Sequence, residues 1–564
     1  MPLKLLNRST SSVPFAALIL AGSVLASRFL GLVRDAVLAS KFGAGQDLDI
    51  YFAAFRVPDL VYNVIIGGAI SAAFMPVFIS FFTKDESEAW HVAKSFFYIA
   101  LLGLIVTCAI MFALMPLIMH LVVPGFDADT RSAAASLSRI MLLSPLFLGL
   151  SAVFSGILHS FRKFFVYSLA PIFYNIGIII GAVWFVEYVG LEGLAWGVAL
   201  GAMMHMAIQA PVSFHSGFKL FPVRNLYHPA IKRIVKLMIP RTIGLAAYQV
   251  NLWVITAIAS FIGFGALSVF TFANNLHYLP IGIIGTSFAT AVFPALSQLF
   301  SEDKYKKYLF ELSSALRSVL FLVFPISILI LVLRIYIVRV VLGFGQFDWE
   351  ATRLTAAALG AFSIGIFAYA LAPIVSRAFF ARENTVTPVI ASVIGFFVNI
   401  LLSVFLIFIL FPKNGVFEFL AVLLKVDDIE GAAVIGLPLA FSIGGIVTLG
   451  LLLRSFFKDK NNKAISKEIY SAFLRIIPAG LFSGGVAWLM LRAFLLFGVT
   501  ELQLQTRPFL ILQASFAATV AMTVYFLLAY IFNFKELQVI ISYIKKKLKK
   551  VDIPQEGPID ETLR

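Results

Sequence analysis

The sequence predicts an all-α polytopic membrane protein with about 14 transmembrane helices: two six-helix lobes related by a parallel repeat, plus two extra C-terminal helices. Three observations carry that expectation. Of the 564 residues, 60% are hydrophobic and only 13% charged, where a soluble domain carries roughly 25% charged residues. Apolar runs long enough to cross a bilayer, about 20 residues each, recur from end to end. The net charge of +15 resides in short loops and in the C-terminal KKKLKK of residues 545–550, where membrane proteins keep Lys and Arg on the cytoplasmic side. That distribution points to a lipid bilayer and away from nucleic acid as a partner.

Spans are expected near 13–42, 49–82, 92–123, 131–160, 165–189, 193–215, 232–262, 265–300, 309–343, 351–381, 385–412, 431–456, 469–496 and 508–533. The N-terminus imitates a secretion signal, with Lys4 and Arg8 before VPFAALILAGSVLAS. Its helical run continues to about Phe42, too long for a signal's apolar core, so a retained first helix is expected. Basic residues follow the even-numbered spans: Lys84 and Lys94; Arg162 and Lys163; Lys219, Arg224, Lys232, Arg233 and Lys236; Lys304, Lys306 and Lys307; Arg377 and Arg382; Lys458, Lys460, Lys463 and Lys467. The opposite loops are poor in Lys and Arg, and KVDDIEG at 425–431 is acidic. Both termini are therefore expected in the cytoplasm.

The segment IIGGAISAAFMPVFISFF at 65–82 resembles IIGTSFATAVFPALSQLF at 283–300, and SFRKFFVYS pairs with FARENTVTP through Arg162 and Arg382. Both offsets are close to 220 positions. A parallel repeat follows, with a first lobe over 1–220, a second over 221–460, two additional helices over 461–535 and a basic cytoplasmic tail over 536–564. Transporters are commonly built this way, with the substrate path between the halves.

The stretch LASRFLGLVRD at 25–35 places Arg28, Arg34 and Asp35 in an otherwise lipid-soluble run. On a helix, Arg28 and Asp35 share a face but stand about 10 Å apart along the axis. Residues three and four positions from Arg28 (Val24, Leu25, Gly31, Leu32) offer no counter-charge. An arginine at mid-membrane costs about 2.5–3.5 kcal/mol on insertion scales and normally faces a water-filled cavity. Arg56 enters the second span at a depth similar to Arg34. Arg28, Arg34 and Arg56 thus form a candidate positive patch, with Asp35 and Asp59 as orienting partners. Guanidinium groups bind phosphate bidentately, so an anionic, phosphate-bearing substrate suits the patch. The alternative is that these charges pair among themselves and pin helices together.

Other features are polar but neutral. FANNLHYLP at 272–280 puts Asn274, Asn275 and His277 in the eighth span, as helix glue or as ligand contacts. Gly193, Gly197 and Gly201 follow the small-xxx-small spacing of close helix packing. Pro58, Pro76, Pro280 and Pro294 mark bends or fixed kinks in spans two and eight. The lone Cys108 is expected to pack as a small core hydrophobe. No zinc-protease, nucleotide-binding or metal-spaced Cys/His motif occurs, which predicts no enzyme chemistry, no cofactor and no use of ATP.

SRFLGLVRDAVLASKFGAGQDLDIYFAAFRVPDL resembles the opening of the MurJ (MviN) family of lipid II flippases, within the multidrug/oligosaccharidyl-lipid/polysaccharide exporter superfamily. The signature pieces are Ser27-Arg28, Gly31, Arg34-Asp35, FGAG at 42–45, Asp49 and the FRVP turn; VPGF, LAPIFYN and TVTP extend the likeness across most of the first twelve spans. The resemblance implies a two-lobed bacterial plasma-membrane transporter working by alternating access, with a central cavity and a lipid-tail groove between the last two helices. It implies a polyprenyl-diphosphate-linked peptidoglycan precursor as substrate and cell-wall synthesis proteins as candidate partners. It also places Arg28 and Arg34 on the diphosphate.

This chain departs from the family at Tyr62, where an arginine is usual, at Gly67, where an acid is usual, and at Asn274-Asn275, where an Asp-Arg pair is usual. Arg56 is a candidate for partial compensation. The alternatives to lipid II transport are a flippase for another lipid-linked repeat unit and a non-transporting scaffold relative. A cationic-drug antiporter is disfavoured, since Asp35 and Asp59 each neighbour an arginine. A coupling ion or the membrane potential could drive transport, the latter at about 2.3 kcal/mol per charge per 100 mV. The segment 414–431 is expected as a short amphipathic piece at the outer interface.

Overall fold

The computed structural model describes residues 13–67, 74–220, 228–411, 415–496, 506–538 and 541. Every regular element among them is helical. The first part comprises α1 (Val13–Phe42), α2 (Gln46–Ala54), α3 (Arg56–Val61), α4 (Met75–Phe82), α5 (Glu86–Val122), α6 (Ala128–Met141), α7 (Leu143–Ser160), α8 (Phe164–Ile180), α9 (Val186–Val189) and α10 (Glu192–His215). Then come α11 (Pro229–Ser260), α12 (Ala266–Pro280), α13 (Thr286–Ser301), α14 (Tyr305–Val341), α15 (Trp349–Ser363), α16 (Ile366–Ala381), α17 (Val386–Val404), α18 (Gly415–Leu424), α19 (Gly436–Phe457), α20 (Lys463–Leu496) and α21 (Arg507–Ile531). Ten helical stretches are long and apolar enough to cross a membrane, or eleven if α15 and α16 form one broken crossing, among the described residues. The chain is a multi-pass, all-helical membrane protein.

Helix ends are set by local chemistry. Asp85, Asp127 and Asp348 cap α5, α6 and α15 by accepting from backbone N–H groups of the first turn, which satisfies donors that the helix itself leaves free. Among the described residues, the non-glycine positions with positive φ are Arg162, Asp303, Glu383, Lys425 and Asn533. Each closes a helix: the next residue's N–H reaches back five positions to a carbonyl at 2.8–3.0 Å, the bond that ends a helix with one left-handed residue.

Among the described residues, π-helical turns interrupt the longer helices at Tyr62–Gly67, Gly181–Phe185, Ile281–Gly285 and Phe405–Leu410. The first and third end on the matching IIG triplets, with Gly67 and Gly285 218 positions apart. The capping residues Asp127 and Asp348 are 221 positions apart, each preceded by Phe. Pro280 directly precedes a π turn, whereas Pro294 lies within the continuous α13.

The chain divides into two compact units, one of residues 1–279, 334–365 and 389–448, the other of residues 280–333, 366–388 and 449–564. In the first, α8 and α10 approach through glycines. A Cβ on Gly177 would stand 2.2 Å from Gly201 Cα, and one on Gly181 2.4 Å from Gly197 Cα. The small-residue spacing thus does close-packing work, as its periodicity predicts. Cys108 is buried beside the Leu142 carbonyl. Helix α18 packs Ala421 into a core with Val426, Ile429 and Ile435 and exposes Phe419, Val422 and Leu423.

In the second unit, α20 and α21 form a helical hairpin tied by a Ser483 Oγ bond to the Ala521 carbonyl at 2.9 Å. Tyr525, fully buried, donates to the Phe321 carbonyl at 2.9 Å. Arg317 lies 3.8 Å from Glu468 and 3.5 Å from Glu536. Arg382 pairs with Asp459 at 3.2 Å amid the rings of Phe300, Tyr305, Tyr308 and Phe456.

Candidate substrate cavity

Within the first unit, α1, the π turn after α3, α4, α7, α8 and α10 surround a cavity of about 690 Å³. Ser23, Ser27 and Arg28 come from α1, Tyr62 and Ile66 from the π turn, Ser155 and His159 from α7, Tyr167 and Pro171 from α8, and His205 from α10. The α7 and α8 residues lie in the halves of those helices that meet at the turn of residues 161–163, so the cavity belongs to that side. The π turn begins at Tyr62; the extra residue that such a turn accommodates re-aims side chains, a device frequent at functional sites.

Arg28 is half-buried in this cavity, and its Nε has no hydrogen-bond partner among the described residues. Among the described residues no carboxylate forms an ion pair with it. A guanidinium carries five N–H donors and cannot lose its charge. It is held at the wall of a cavity to which Ser23, Ser27, Ser155, Tyr62 and Tyr167 also contribute.

Arg34 is differently placed. Its Nε and Nη2 donate to Asp35 Oδ1 at 3.0 and 2.8 Å, and its Nη1 donates to Asn175 Oδ1 at 3.2 Å. The other Asp35 oxygen accepts from Asn275 Nδ2 at 2.9 Å. One carboxylate thereby ties α1 to α12, while Arg34 ties it to α8. Adjacent residues on a helix point apart, and the Arg34 side chain folds back to reach Asp35.

Arg56 is buried and donates through Nε to Thr256 Oγ1 at 2.7 Å, while its carbonyl accepts from Trp253 Nε1 at 3.0 Å. Asp59 is half-buried and within electrostatic reach of both Arg56 and Arg34. Asn274 Oδ1 is buried without a partner among the described residues. Of the eight residues proposed from sequence, Arg28 and Tyr62 therefore line the cavity directly. Arg34, Asp35 and Asn275 form one hydrogen-bonded network, and Arg56 with Asp59 forms a second charged cluster.

Further toward the α1 C-terminus, the same unit carries a set of long-range hydrogen bonds. The buried Asp49 carboxylate accepts from Gly265 N at 2.8 Å, Ser268 N at 2.7 Å and Ser268 Oγ at 2.5 Å, capping the start of α12. The Ser40 carbonyl accepts from Gln346 N at 2.8 Å, and Ser260 Oγ accepts from Gly125 N at 2.9 Å. Gly345, at φ 53, passes so close that a Cβ would stand 2.2 Å from the Ser40 oxygen.

Sequence reasoning passed over the polar wall built from Ser151, Ser155, His205 and Gln209. The available signal was spacing: each helix contributes its pair four residues apart, hence on one face.

The family model described as lipid II flippase MurJ matches residues 38–507. The chain belongs to the MurJ family. The probable lipid II flippase MurJ of Buchnera aphidicola subsp. Schizaphis graminum is 30% identical over 391 residues, covering 68% of this chain and 76% of the relative. The lipid II flippase MurJ of Burkholderia cenocepacia is 28% identical over 383 residues, covering 66% and 74%. Among solved structures, a lipid II flippase MurJ in an inward closed conformation aligns with TM-score 0.71 and 25% identity, over 91% of this chain and 98% of that one. An inward-facing MATE multidrug transporter aligns at TM-score 0.59 with 14% identity, over 78% of this chain and 96% of that one, a likeness of fold alone. MurJ membership makes this chain a member of a transporter family, not of an enzyme family.

Proposed function

We propose that this protein moves a polyprenyl-diphosphate-linked peptidoglycan precursor, lipid II, from the inner to the outer leaflet of the bacterial plasma membrane by alternating access. The observation that carries the reading is Arg28: a permanent charge with no ion pair among the described residues, at the wall of a cavity of about 690 Å³. Diphosphate satisfies such a group with charge-assisted bonds. Arg34 and Arg56, steadied by Asp35, Asp59 and Asn275, extend positive charge along the path, with Tyr62 and Asn274 as neutral contacts. The Asp49 clasp serves as the outer gate that must open before release.

The reading includes fourteen crossings in two six-helix lobes, with α1, the broken segment from α2 to α4, and α11 completing the count, and with both termini cytoplasmic. The paired π turns and the paired capping aspartates, close to 220 positions apart, support that repeat. Depletion in the native host is expected to accumulate the lipid-linked precursor on the cytoplasmic leaflet. An unchanged distribution, in a host without a second flippase, would refute the proposal. A second reading, a flippase for another lipid-linked repeat unit, draws support from neutral Tyr62 in the cavity wall. Competition between the two lipids for the purified protein separates them.

A further inference from the structure

The cavity wall made by α7 and α10 carries a hydrogen-bonded chain that diphosphate binding leaves without a use. Ser155 Oγ donates to Gln209 Oε1 at 2.7 Å, and Gln209 Nε2 donates to Ser151 Oγ at 2.8 Å. Ser151 Oγ lies 2.8 Å from His205 Nδ1 and 3.2 Å from the His205 carbonyl. Ser151 and Gln209 are fully buried, whereas His205 is half-buried and lines the cavity with Ser155 and Arg28.

The tautomer of the ring is assigned from the shorter of the two Ser151 contacts. The shorter contact takes the Ser151 hydrogen, so Nδ1 accepts. The Gln209 amide nitrogen lies 3.4 Å from the same Nδ1 and donates to the His205 carbonyl at 3.3 Å. In a neutral imidazole the proton then resides on Nε2. Among the described residues Nε2 has no hydrogen-bond partner, and it is not among the sealed atoms lacking one. It therefore opens to the cavity as a neutral donor, held in place from behind.

We infer that His205 is a specificity-determining residue that donates its Nε2–H to the uncharged sugar portion of the lipid-linked diphosphate, with Ser151 and Gln209 as positioning residues. This rests on the proposed function and assigns the second half of the headgroup. Sugar hydroxyls and amide carbonyls are neutral acceptors, matched by a neutral donor and by the hydroxyls of Ser23, Ser27 and Tyr62 in the same cavity. The cavity volume lies within the range of about 300–1,000 Å³ that encloses small ligands. Arg28 then recognises what all polyprenyl diphosphates share, and His205 what distinguishes the glycosylated ones.

The test uses the full chain in lipid nanodiscs and two probes: a polyprenyl diphosphate without sugar, and the same lipid carrying a disaccharide. Wild-type protein is expected to bind the disaccharide probe more tightly. H205N places an amide where Nδ1 stood, keeping the Ser151 contact but offering nothing to the cavity. It should weaken the disaccharide probe about three- to tenfold, the range for one neutral hydrogen bond, and leave the bare diphosphate unchanged. H205Q places its amide where Nε2 stood and should recover most of the lost preference. Equal loss in both variants, or equal loss for both probes, would make the ring a packing element and overturn the inference alone. Equal wild-type affinity for the two probes would do the same. Wild-type protein that binds neither probe better than a neutral polyprenol would overturn the proposed function with it.

Discussion

Arg28 and Arg34 stand six residues apart on α1, yet among the described residues one faces a cavity without a counter-charge and the other is bonded to two partners. Arg34 has Asp35 and Asn175, and Asp35 in turn holds Asn275. Arg56 has Thr256. Arg28 has hydroxyl-lined space. Both arrangements place a guanidinium on an otherwise apolar stretch of chain, where a bare charge is costly. Pairing fixes helices against one another; a cavity leaves the charge available. The contrast separates arginines held by protein partners from one that lines a cavity.

The largest expected effect is at the available charge. Arg28→Ala should abolish complementation of a flippase-deficient host while membrane levels and thermal stability stay near wild type, since no ion pair among the described residues is lost. Normal growth would break the contrast. Next, Asp35→Asn removes the counter-charge of Arg34, leaving it the Asn175 bond, and weakens the bond to Asn275. A loss of about 1–3 kcal/mol, the cost of stranding a buried polar group, should appear as a lower Tm, with transport reduced only in proportion to folded protein.

Smaller still, Thr256→Val removes the Nε acceptor of Arg56 and should lower Tm by less than Asp35→Asn, because one bond is lost in place of a network. A fall in Tm larger than that of Asp35→Asn would reverse the ranking of the two clusters. The smallest effect lies outside the spans. Arg353 donates to Asp428 at 2.8 Å and holds that carboxyl below its ordinary value of 3.8. A depressed carboxyl stabilises while ionised, so the clasp is complete above that ordinary value and is lost as pH falls through the lower folded one. Hydrogen exchange in residues 425–429 should speed up on acidification only there, with Tm almost unchanged because the pair is exposed.

Much of this was legible in the sequence. Composition and run length gave the all-helical membrane class, and the isolation of Arg28 followed from Val24, Leu25, Gly31 and Leu32. The glycine spacing in α10 anticipated its contact with α8, although the partners Gly177 and Gly181 come from a second segment. Proline placement was a fair guide: Pro58 and Pro76 lie in the first turns of α3 and α4, Pro280 directly precedes a π turn, and Pro294 alone of the four lies inside a continuous helix. Asp49 carried no sign of its role, because its partners are 216 and 219 positions away. The Ser151–His205 wall was hidden for the same reason, its members being separated by 54 positions. Local chemistry writes caps and turns into neighbouring residues; contacts between distant helices become visible only once the chain is folded.

The central claim is that a guanidinium left without a protein counter-charge holds a phosphate-bearing lipid. Native mass spectrometry of the full chain, purified from cells that make peptidoglycan, tests it most directly. Wild-type protein should retain a polyprenyl-diphosphate glycan that Arg28→Ala protein lacks. A wild-type spectrum without any diphosphate lipid, or an adduct of equal abundance in both proteins, would contradict the account.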